Sequence, residues 1–592
     1  MAGSRAASGQ KASAREPVML DAGAVEAFGL LDAVGTLLLE GWCESPWAET
    51  TGPDELNLRT GLGRLTGPAA SIFLPQGARW RFVTLLRIPP VPRLEPQCLE
   101  LREPARRLEL AHGTRPMSVV QAARYLRRAL RDAPEEPRAA LLRQAPRLPH
   151  DPAATLAKLG ASAVHVELDR VMRAGDAGVV AFGWLLDPGR QVLELRLCTA
   201  TQAVALHPGE WAVVSRPDVA RAIGATYGLE GEDWGFCAFA ALTPAPGESC
   251  YLEVVLANGE VGQKSVGVVE AAGMASLRQI LSLPRQPGPR LARILGATLG
   301  PALEALNGER LQRPRRSSEI VLGSQPVAPR VSLVVTLYGR VDFMDMQLGL
   351  FSAAPDPHAE IIYVLDDPRR AAEAERLAQS CHARHGLPFR LILLEENQGF
   401  AVANNEGAAV ARGRHICLMN SDVFPLAQQG MGFLSGLAER LEADAGLGVI
   451  GPLLLYEDGT VQHAGMAYER VHGLPDWSFP VHPGKARPPG MVGLQEALAI
   501  TGACMMLRRA DWQALAGFDE GYVIGDFEDS DLCLRLRERG LRCAVDAGWT
   551  LYHLERQSQE GEAAWRFNTT LFNAWRHDRR WGGSDLMEAG QG

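Results

Sequence analysis

Residues 331–338 read VSLVVTLY, and three similar apolar runs follow at 360–367 (EIIYVLDD), 389–397 (FRLILLEEN) and 415–422 (HICLMNSD). None of these runs alternates apolar with polar residues, and helical patterns separate them, including one from about Gly399 to Arg412. Strands of this kind are buried on both faces, as in a parallel sheet that helices cover on both sides. The pattern therefore predicts an α/β domain, which we place at 329–592.

Polar residues follow each of these four strands. Ligands of open α/β sheets bind outside the carboxyl ends of the strands, so we expect a site at this edge. The chain has neither a GxxxxGK[ST] phosphate loop nor a GxGxxG at a strand-to-helix turn, which leaves a nucleotide held by carboxylates and a metal. The residues at the edge are Thr336 and Tyr338, Asp366 and Asp367, Asn397 and Gly399, and Asn420, Ser421 and Asp422.

Two of these carboxylates suit different tasks. Asp366 could accept hydrogen bonds from a base or a ribose, and Asp422 could hold a divalent cation that bridges a diphosphate. Either residue alone could equally be a turn or helix-cap residue. Their shared position at strand ends favours the binding interpretation.

Six segments stand in order after residue 330: VSLVVTLYGR (331–340), IIYVLDDP (361–368), NQGFAVANNEGAAVARGRHICLMNSD (397–422), DGTVQHAG (458–465), TGACMMLRRADWQALAGFDE (501–520) and FEDSDLCLRLRERG (527–540). Together they resemble the successive motifs of family 2 glycosyltransferases, and most closely those of rhamnosyltransferase-like enzymes of surface polysaccharide synthesis. The resemblance covers about residues 330–560 and leaves the N-terminal half uncovered. It implies a GT-A fold, a nucleotide-diphosphate sugar as donor, and inversion at the anomeric centre.

The resemblance also implies roles for single residues. Asp366 matches the aspartate that contacts the nucleotide base, and Asn420-Ser421-Asp422 stands in the place of a metal-binding DxD motif. Asn420 replaces the first acidic residue, so Asp422 is the only carboxylate of the motif. His553 resembles a late histidine of the family and would supply a second contact to Mg²⁺ or Mn²⁺, although a lone histidine beside a strand is as often structural.

An acidic cluster precedes the helical pattern that ends at Gly540. Acidic residues stabilise the first turn of a helix, but four carboxylates within six positions exceed what capping requires, and a hydroxyl acceptor needs a positioned base. The cluster consists of Asp526, Glu528, Asp529 and Asp531. The resemblance assigns that catalytic role to Asp529.

Two further residues could lie near the site. Gly502, beside Thr501, would lie near donor or acceptor because glycine permits close backbone approach, and His463 could also contact the site.

The N-terminal half has a different pattern, in which short apolar runs alternate with Gly and Pro turns. This pattern predicts a flexible tail at 1–17 and two β-rich, sandwich-like modules at 18–150 and 151–270. A weak internal repeat relates the modules, because similar pairs recur in the same order. Gly41-Trp42 matches Gly183-Trp184, and Trp80-x-Phe82 matches Trp234-x-Phe236.

Residues 271–328 are predicted to form a basic, helical linker. Leu291, Ile294, Leu295 and Leu299 follow helical spacing within 285–316, and arginines flank them. This helix either packs on the next domain or contacts a membrane surface. Pro301 after Gly300 should break or kink it.

Composition limits the classes of partner and compartment. The 592 residues hold 60 Lys and Arg against 69 Asp and Glu, a net charge of −9, which argues against a nucleic-acid partner. The 10 cysteines include no CxxC pair, and the N-terminus lacks the apolar core of a signal peptide. We therefore expect a cytoplasmic protein, or one that is peripheral at the inner membrane face through 285–316.

The sequence as a whole predicts an inverting hexosyl or deoxyhexosyl transferase of surface polysaccharide or glycoconjugate synthesis. Its acceptor would be a saccharide, lipid-linked or protein hydroxyl. The segment His577 to Trp581 (HDRRW) is similar to the QxxRW of processive synthases, but His replaces Gln, which disfavours a processive polymerase. The alternative is a catalytically weakened carbohydrate-binding or scaffolding protein that keeps the GT-A fold.

Overall fold

The computed structural model describes residues 20–31, 35–46, 54–61, 63–89, 94, 96–101, 106–134, 137–138, 141, 154–258, 260–282, 289–470, 474–554 and 563–588. The tail expected at residues 1–17 lies outside these ranges. Three large sheets follow one another along the chain, two in the N-terminal half and one in the C-terminal half. No helix within the described ranges is both long and apolar enough to cross a membrane.

The first module is a closed barrel with one helix packed outside it. Its elements are β1 Leu20–Leu30, β2 Thr36–Cys43, β3 Asp54–Thr60, β4 Gly63–Gln76, β5 Arg79–Arg87, β6 Pro96–Leu101, β7 Arg106–Pro116 and α1 Val119–Asp132. Leu37 and Leu39 of β2 point into the barrel core, while Leu38 between them packs with Leu126 of α1, as the two-residue period of a strand requires. The β-rich prediction is confirmed, but the sheet closes into a barrel because β7 pairs with β1.

The second module is one curled sheet of eight strands. Its elements are β8 His165–Ala174, β9 Gly178–Leu186, β10 Val192–Cys198, β11 Ala203–Ala205, β12 Ala212–Val214, α2 Pro217–Ala222, β13 Gly235–Ala240, β14 Ser249–Leu256 and β15 Val261–Val269. The strand order is β11-β10-β14-β15-β8-β9-β13-β12. Leu168 from one half and Leu252 from the other share one apolar core, so this module does resemble the predicted sandwich.

The two modules share a strand order. In the barrel the order β4-β5-β2-β1-β7-β6-β3 corresponds to β12-β13-β9-β8-β15-β14-β10 in the second sheet, and the first and last strands of each module run parallel. Gly41 faces Phe82 across β2 and β5, and Gly183 faces Phe236 across β9 and β13. The two modules therefore share a strand order and two paired positions, while a common origin as an internal repeat stays a prediction.

Three helices connect the second module to the third. They are α3 Met274–Ser282, α4 Pro289–Ile294 and α5 Gly300–Gln312, and a π-helical turn at Leu295–Leu299 interrupts the last two beside Pro301. Leu291, Leu299 and Leu303 are buried between the second sheet and the C-terminal helix, where they contact Phe572 and its neighbours. The protein itself therefore covers the apolar face of this segment, which favours the first alternative, packing on the next domain, and contact with a membrane surface stays a prediction.

The third sheet carries the predicted parallel strands. Its order is edge strand 317–322, then 389–394, 359–365, 331–337, 415–420, 504–508, 447–455, 542–553 and 423–425. Val335 packs on one face and Val334 on the other, so both faces are buried. The strands and helices of this half are β16 Ser317–Leu322, β17 Val331–Leu337, α6 Phe343–Ala353, β18 Ala359–Leu365, α7 Ala371–His385, β19 Phe389–Leu394, α8 Phe400–Ala409, β20 His415–Asn420, β21 Val423–Pro425, α9 Gly432–Ala443, β22 Leu447–Leu455, β23 Val461–His463, β24 Met466–Arg470, β25 Asp476–Pro480, β26 Leu494–Ala497, β27 Cys504–Arg508, α10 Arg509–Ala514, α11 Glu528–Glu538, β28 Arg542–His553 and α12 Ala563–Trp581.

The edge strand β16 lies before the predicted boundary near residue 328. It pairs antiparallel with β19, with Ser317 opposite Leu394 and Leu322 opposite Phe389. The third sheet thus takes one strand from the segment 271–328, which we had interpreted as a linker. The division into domains stays a prediction, but a cut at 328 would remove this strand.

Candidate active site

The predicted polar residues at the strand ends lie together. In the register of β17 and β20, Thr336 is the partner of Asn420, and Leu337 of β17 pairs with Leu365, the residue before Asp366. Asn397, which follows β19, donates from Nδ2 to the Asp366 carboxylate at 3.0 Å. The carboxyl ends of four adjacent strands therefore form one edge, as the parallel order requires.

Asp366 is buried and holds the loop that follows β19. Its Oδ1 accepts from the backbone N–H of Gln398 at 2.6 Å, and its Oδ2 accepts from that of Gly399 at 2.7 Å. Burial raises the pKa of Asp366 to about 7, whereas these amide donors and Arg310 oppose the shift. The carboxylate therefore positions the loop, and a direct contact with a nucleotide base stays a prediction.

Asp367 has a separate, structural task. It caps the short helical turn that follows, and Oδ1 accepts from the backbone N–H of Arg369 at 3.2 Å and from Nε of the same residue at 2.8 Å. Burial raises its pKa, but the Arg369 guanidinium outweighs burial and lowers the pKa overall. Asp367 is therefore a helix-cap residue, the alternative role that the sequence leaves open for Asp366 and Asp422.

Gly399 permits a close approach of two loops. Its φ of +97° lies in the left-handed region, and a Cβ there would stand 2.9 Å from Cα of Ile524. Phe400 N donates to the Ile524 carbonyl in the same contact. Only glycine fits this position without moving one of the loops, which accounts for the residue whether or not it touches a donor.

Asp422 and His553, the two residues predicted to bind a metal, lie side by side. Val423 of β21 is the register partner of His553 in β28, and this pairing brings His553 Nε2 to 3.4 Å from Asp422 Oδ1. Both side chains are mostly buried. Two neighbouring ligands at roughly 2.1 Å from one cation lie roughly 3 Å apart, so the observed separation fits a shared ion.

The surrounding polar atoms also fit a metal. Asn420 Oδ1 and His553 Nδ1 are buried and have no hydrogen-bond partner in the described part of the chain. No group of three or more His, Cys, Asp or Glu side chains that could hold a metal occurs in the described ranges. A site of this kind suits Mg²⁺ or Mn²⁺, which keep several waters and take substrate phosphate oxygens as ligands.

Asp529, at the start of α11, is held by two backbone N–H groups. Its Oδ2 accepts from Gly502 at 2.7 Å, and its Oδ1 accepts from Ser530 at 2.7 Å. Burial raises its pKa, the two N–H donors oppose that shift, and Asp526 adds to it. The next residue of the loop, Ala503, accepts at 2.9 Å from the backbone N–H of Asn420. The loop 501–503 therefore joins the expected base to the expected metal motif.

His463 stabilises the loop 501–503 by accepting hydrogen bonds from backbone N–H groups. Its Nε2 lies 3.2 Å from the backbone N of Thr501 and 3.3 Å from that of Gly465, and it accepts from both. Burial lowers the pKa of His463 to about 3, and nearby His553 adds to this effect. A neutral, buried acceptor has a structural role, and the contact with substrate that we considered for His463 has no support here.

The residues that build this edge also match a known family. Residues 332–514 match the family model described as glycosyl transferase family 2. Residues 332–514 therefore form a family 2 glycosyltransferase domain. With a mixed sheet whose strand ends carry the polar residues, the fold of the C-terminal half is GT-A, as predicted.

Curated relatives match part of the chain. The chain is 30% identical over 240 residues to the O-antigen biosynthesis protein RfbC of Myxococcus xanthus, which covers 40% of this chain and 18% of the relative. It is 27% identical over 227 residues to the amylovoran biosynthesis glycosyltransferase AmsB of Erwinia amylovora, covering 36% and 66%. The chain thus spans less than two thirds of each relative.

Solved structures give weaker likenesses. The mannosyltransferase PcManGT from Pyrobaculum calidifontis, in complex with GDP-Man and Mn²⁺, has a TM-score of 0.30 at 16% identity, covering 47% of this chain and 72% of that one. GalNAc-T7 with UDP, GalNAc and Mn²⁺ has a TM-score of 0.34 at 17% identity, covering 44% and 49%.

The acidic cluster at 526–531, which follows the residues matched by the family model, contains carboxylates with different roles. Asp526 accepts from Arg566 and Thr570 of α12, and Asp531 accepts from Arg535, Arg580 and Trp581. Glu528 is buried, its Oε2 has no partner among the described residues, and burial raises its pKa well above the usual range. Asp529 is therefore the member of the cluster whose oxygens are held only by backbone in the described structure.

The HDRRW segment packs against α11 through hydrogen bonds from His577 and Trp581. His577 Nε2 lies 2.9 Å from the Ser530 hydroxyl, and Trp581 Nε1 donates to Asp531 at 2.9 Å. Both rings are buried. Trp581 is thus covered by the protein, and the expectation against a processive polymerase stays a prediction from the sequence.

Sequence reasoning missed two arginines of the segment 271–328. Arg278 of α3 donates to Tyr338 Oη at 3.3 Å and to Asn397 Oδ1 at 3.2 Å. Arg310 of α5 donates to the Gln398 carbonyl at 3.1 Å and to its side-chain oxygen at 2.7 Å. The sequence shows only that arginines are frequent around this helical pattern. That frequency does not predict which residues the arginines contact.

Proposed function

We propose that this protein is a metal-dependent, inverting glycosyltransferase that moves a sugar from a nucleotide-diphosphate sugar to a hydroxyl acceptor. One observation carries the proposal: the loop 501–503 binds the expected base on one side and the expected metal motif on the other. Gly502 donates to Asp529, and Ala503 accepts from Asn420, two residues before Asp422. A single displacement needs a base for the attacking hydroxyl and charge stabilisation for the leaving diphosphate around one centre.

Asp529 takes the proton of the acceptor hydroxyl while that oxygen attacks the anomeric carbon. The N–H groups of Gly502 and Ser530 fix the carboxylate in place. Its raised pKa brings it closer to neutral pH, where a general base works best. Attack from the face opposite the diphosphate inverts the anomeric configuration.

Asp422 and His553 would hold Mg²⁺ or Mn²⁺, with the amide oxygen of Asn420 as a further candidate ligand. When bound, such a cation offsets the negative charge that grows on the leaving diphosphate. The support is the 3.4 Å separation of the two side chains and the unpartnered oxygen beside them.

We place this activity in the synthesis of a surface polysaccharide or glycoconjugate. The support is that two relatives are named for O-antigen and amylovoran biosynthesis. A hexosyl or deoxyhexosyl group and a saccharide, lipid-linked or protein hydroxyl acceptor complete the proposal. The rhamnosyltransferase-like subgroup stays a prediction from the motifs.

Release of free nucleoside diphosphate from a panel of nucleotide sugars, with Mn²⁺ and with chelator, tests the proposal. We expect release from at least one donor, dependence on the cation, and loss of release in Asp422→Ala. The matched control is Glu439→Gln, which changes an exposed carboxylate of α9. Nucleotide binding without release from any donor would instead favour the catalytically weakened carbohydrate-binding or scaffolding alternative.

A further inference from the structure

Helix α3, which lies outside the family 2 domain, reaches the strand-end site through Arg278. Leu277, Ile280 and Leu281 of this helix are buried against Leu571 and its neighbours on α12. The Leu281 carbonyl accepts from Asn568 of α12 at 2.7 Å, which fixes the end of α3. The helix is therefore packed firmly enough to place the neighbouring Arg278 side chain.

The guanidinium of Arg278 contacts side chains from three different segments, among others. Its Nη2 donates to Tyr338 Oη at 3.3 Å and to Asn397 Oδ1 at 3.2 Å, and its Cζ lies 4.9 Å from the centre of the Trp565 ring. Ordering an arginine side chain costs rotamer entropy. A planar fork that is held before the ligand arrives binds planar hydrogen-bond acceptors with less further cost.

The position of Arg278 selects one part of the donor. Tyr338 follows β17 and Asn397 follows β19, so the guanidinium spans the end of β18, where Asp366 lies. The metal ligands follow β20 and lie on β28, and the sheet order β19-β18-β17-β20 places them on the other side of β17. A diphosphate bound at Asp422 would thus direct the nucleoside toward Arg278.

Arg310 stabilises the loop 397–399, which contains the Arg278 contact Asn397. Its Nη1 donates to Gln398, and its Nε donates to Asn307 Oδ1 at 2.9 Å. Burial lowers its pKa to about 10, so it remains charged at neutral pH. The loop 397–399 is therefore held by Asp366 on one side and by the helical segment on the other.

We propose that Arg278 is a nucleoside-binding residue, whose guanidinium donates hydrogen bonds to oxygen acceptors of the base or the ribose. The nucleotide site is then composite, since the helices before the family 2 domain supply part of it. This inference rests on the proposed function, because it needs a nucleotide donor at the strand ends.

Calorimetry of the full-length protein tests this role with two kinds of probe, each with Mn²⁺. UDP, GDP, CDP and dTDP carry a nucleoside, whereas inorganic pyrophosphate carries only the part that meets the metal. For Arg278→Ala we expect about 10-fold to 100-fold weaker binding of the nucleoside diphosphate that the wild type binds best. Pyrophosphate should bind Arg278→Ala with the same affinity as it binds the wild type. Asp422→Ala should weaken both probes.

Two further variants separate binding from folding. Arg293→Ala removes an exposed arginine of the neighbouring helix α4 and should bind both probes like the wild type. Arg278→Lys keeps the charge and most of the stem but lacks the planar fork, so it should show the same selective loss even if Arg278→Ala melts early. Unchanged nucleotide binding in Arg278→Lys and Arg278→Ala, or an equal loss for both probes, overturns the assignment of Arg278 alone. A wild type that binds pyrophosphate but none of the four nucleotides overturns the proposed function together with this role.

Discussion

The backbone N–H of Gly502 donates a hydrogen bond to Oδ2 of Asp529 at 2.7 Å. The other carboxylate oxygen, Oδ1, accepts from the backbone N–H of Ser530, also at 2.7 Å. Each oxygen keeps a second lone pair for a proton from an acceptor hydroxyl. The two bonds therefore fix the carboxylate without using up its capacity as a base.

Asp529→Asn should lose about 100-fold to 10,000-fold in turnover, because an amide cannot take the proton. The variant should also lose about 1 kcal/mol or more of stability, since the amide NH₂ must face one of the two backbone N–H donors. Steady-state kinetics and urea unfolding measure the two effects. Turnover above about a tenth of wild type would exclude a general base of the usual strength.

Asp526→Asn is the matched control from the same acidic cluster. Asp526 is bonded to Arg566 and Thr570 of α12, so its loss should lower stability. Turnover should remain within about 10-fold of wild type. A loss as deep as that of Asp529→Asn would mean that the cluster acts as a unit and that Asp529 has no special role.

Asp422→Ala and His553→Ala should both weaken the Mn²⁺-dependent binding of a nucleoside diphosphate, by at least about 10-fold. The reason is that the two side chains face each other at 3.4 Å and would share one ion. Calorimetry with and without chelator measures the cation-dependent part. His358→Ala, at an exposed histidine, is the control, and an unchanged affinity in His553→Ala would limit the metal site to Asp422.

Asp366 should make stability depend on pH. Its pKa is about 7 in the folded protein against an ordinary value of 3.8, chiefly because it is buried. Between these values the folded state binds more protons than the unfolded state, so the unfolding free energy falls as pH rises from about 4 to about 7. The slope from one such group is at most about 1.4 kcal/mol per pH unit.

The difference between wild type and Asp366→Asn isolates this contribution. Urea unfolding at several pH values gives the unfolding free energy of the wild type minus that of the variant. This difference should fall as pH rises from about 4 to about 7. The loss of acceptors for Gln398 and Gly399 adds a constant offset in the variant. A difference that does not change with pH would show that Asp366 titrates near its ordinary value in the folded protein.

Gly399→Ala should be more damaging than Gly540→Ala. Both glycines have positive φ, but a Cβ at Gly399 meets the Ile524 backbone at 2.9 Å, whereas one at Gly540 meets nothing within 4 Å. We expect Gly399→Ala to cost roughly 1 to 3 kcal/mol more in urea unfolding. Equal losses would mean that the loops at 399 and 524 can separate freely.

The sequence predicts the α/β domain well because its signals are local. Continuous apolar strands at 331–337 and 359–365 and polar residues after them identify the sheet and its ligand edge. The family motifs point to Asp422, His553 and Asp529, and the structure brings the first two together although Asp422 lies in the turn before β21 and His553 lies on β28. The strand ends lie together because a parallel sheet places them on one edge whatever the loops do, whereas the roles of these three residues stay predictions.

The parts that the sequence leaves open depend on contacts between distant segments. Whether β7 pairs with β1 and closes a barrel is not a property of either strand alone. Likewise, an amphipathic helix in 285–316 has the same sequence pattern whether it packs on a membrane or on another domain. Its packing partner becomes visible only in the structure, where its leucines share an apolar core with Phe572. The direction of Arg278 follows from the same packing.

A chain cut at the predicted boundary tests how far the family 2 domain depends on what precedes it. Residues 329–592 lack β16, which pairs with β19, and lack the helices that bury Leu571, Phe572 and Trp575 of α12. Exposing apolar side chains costs about 1.5 to 3 kcal/mol for each large one, so we expect this fragment to unfold or aggregate. Residues 154–592 keep both features and should fold with a cooperative thermal transition. Circular dichroism melts and gel filtration compare the two fragments. A monomeric 329–592 that melts as cooperatively as 154–592 would mean that the helical segment only rests on the domain, and that the strand-end site is complete without it.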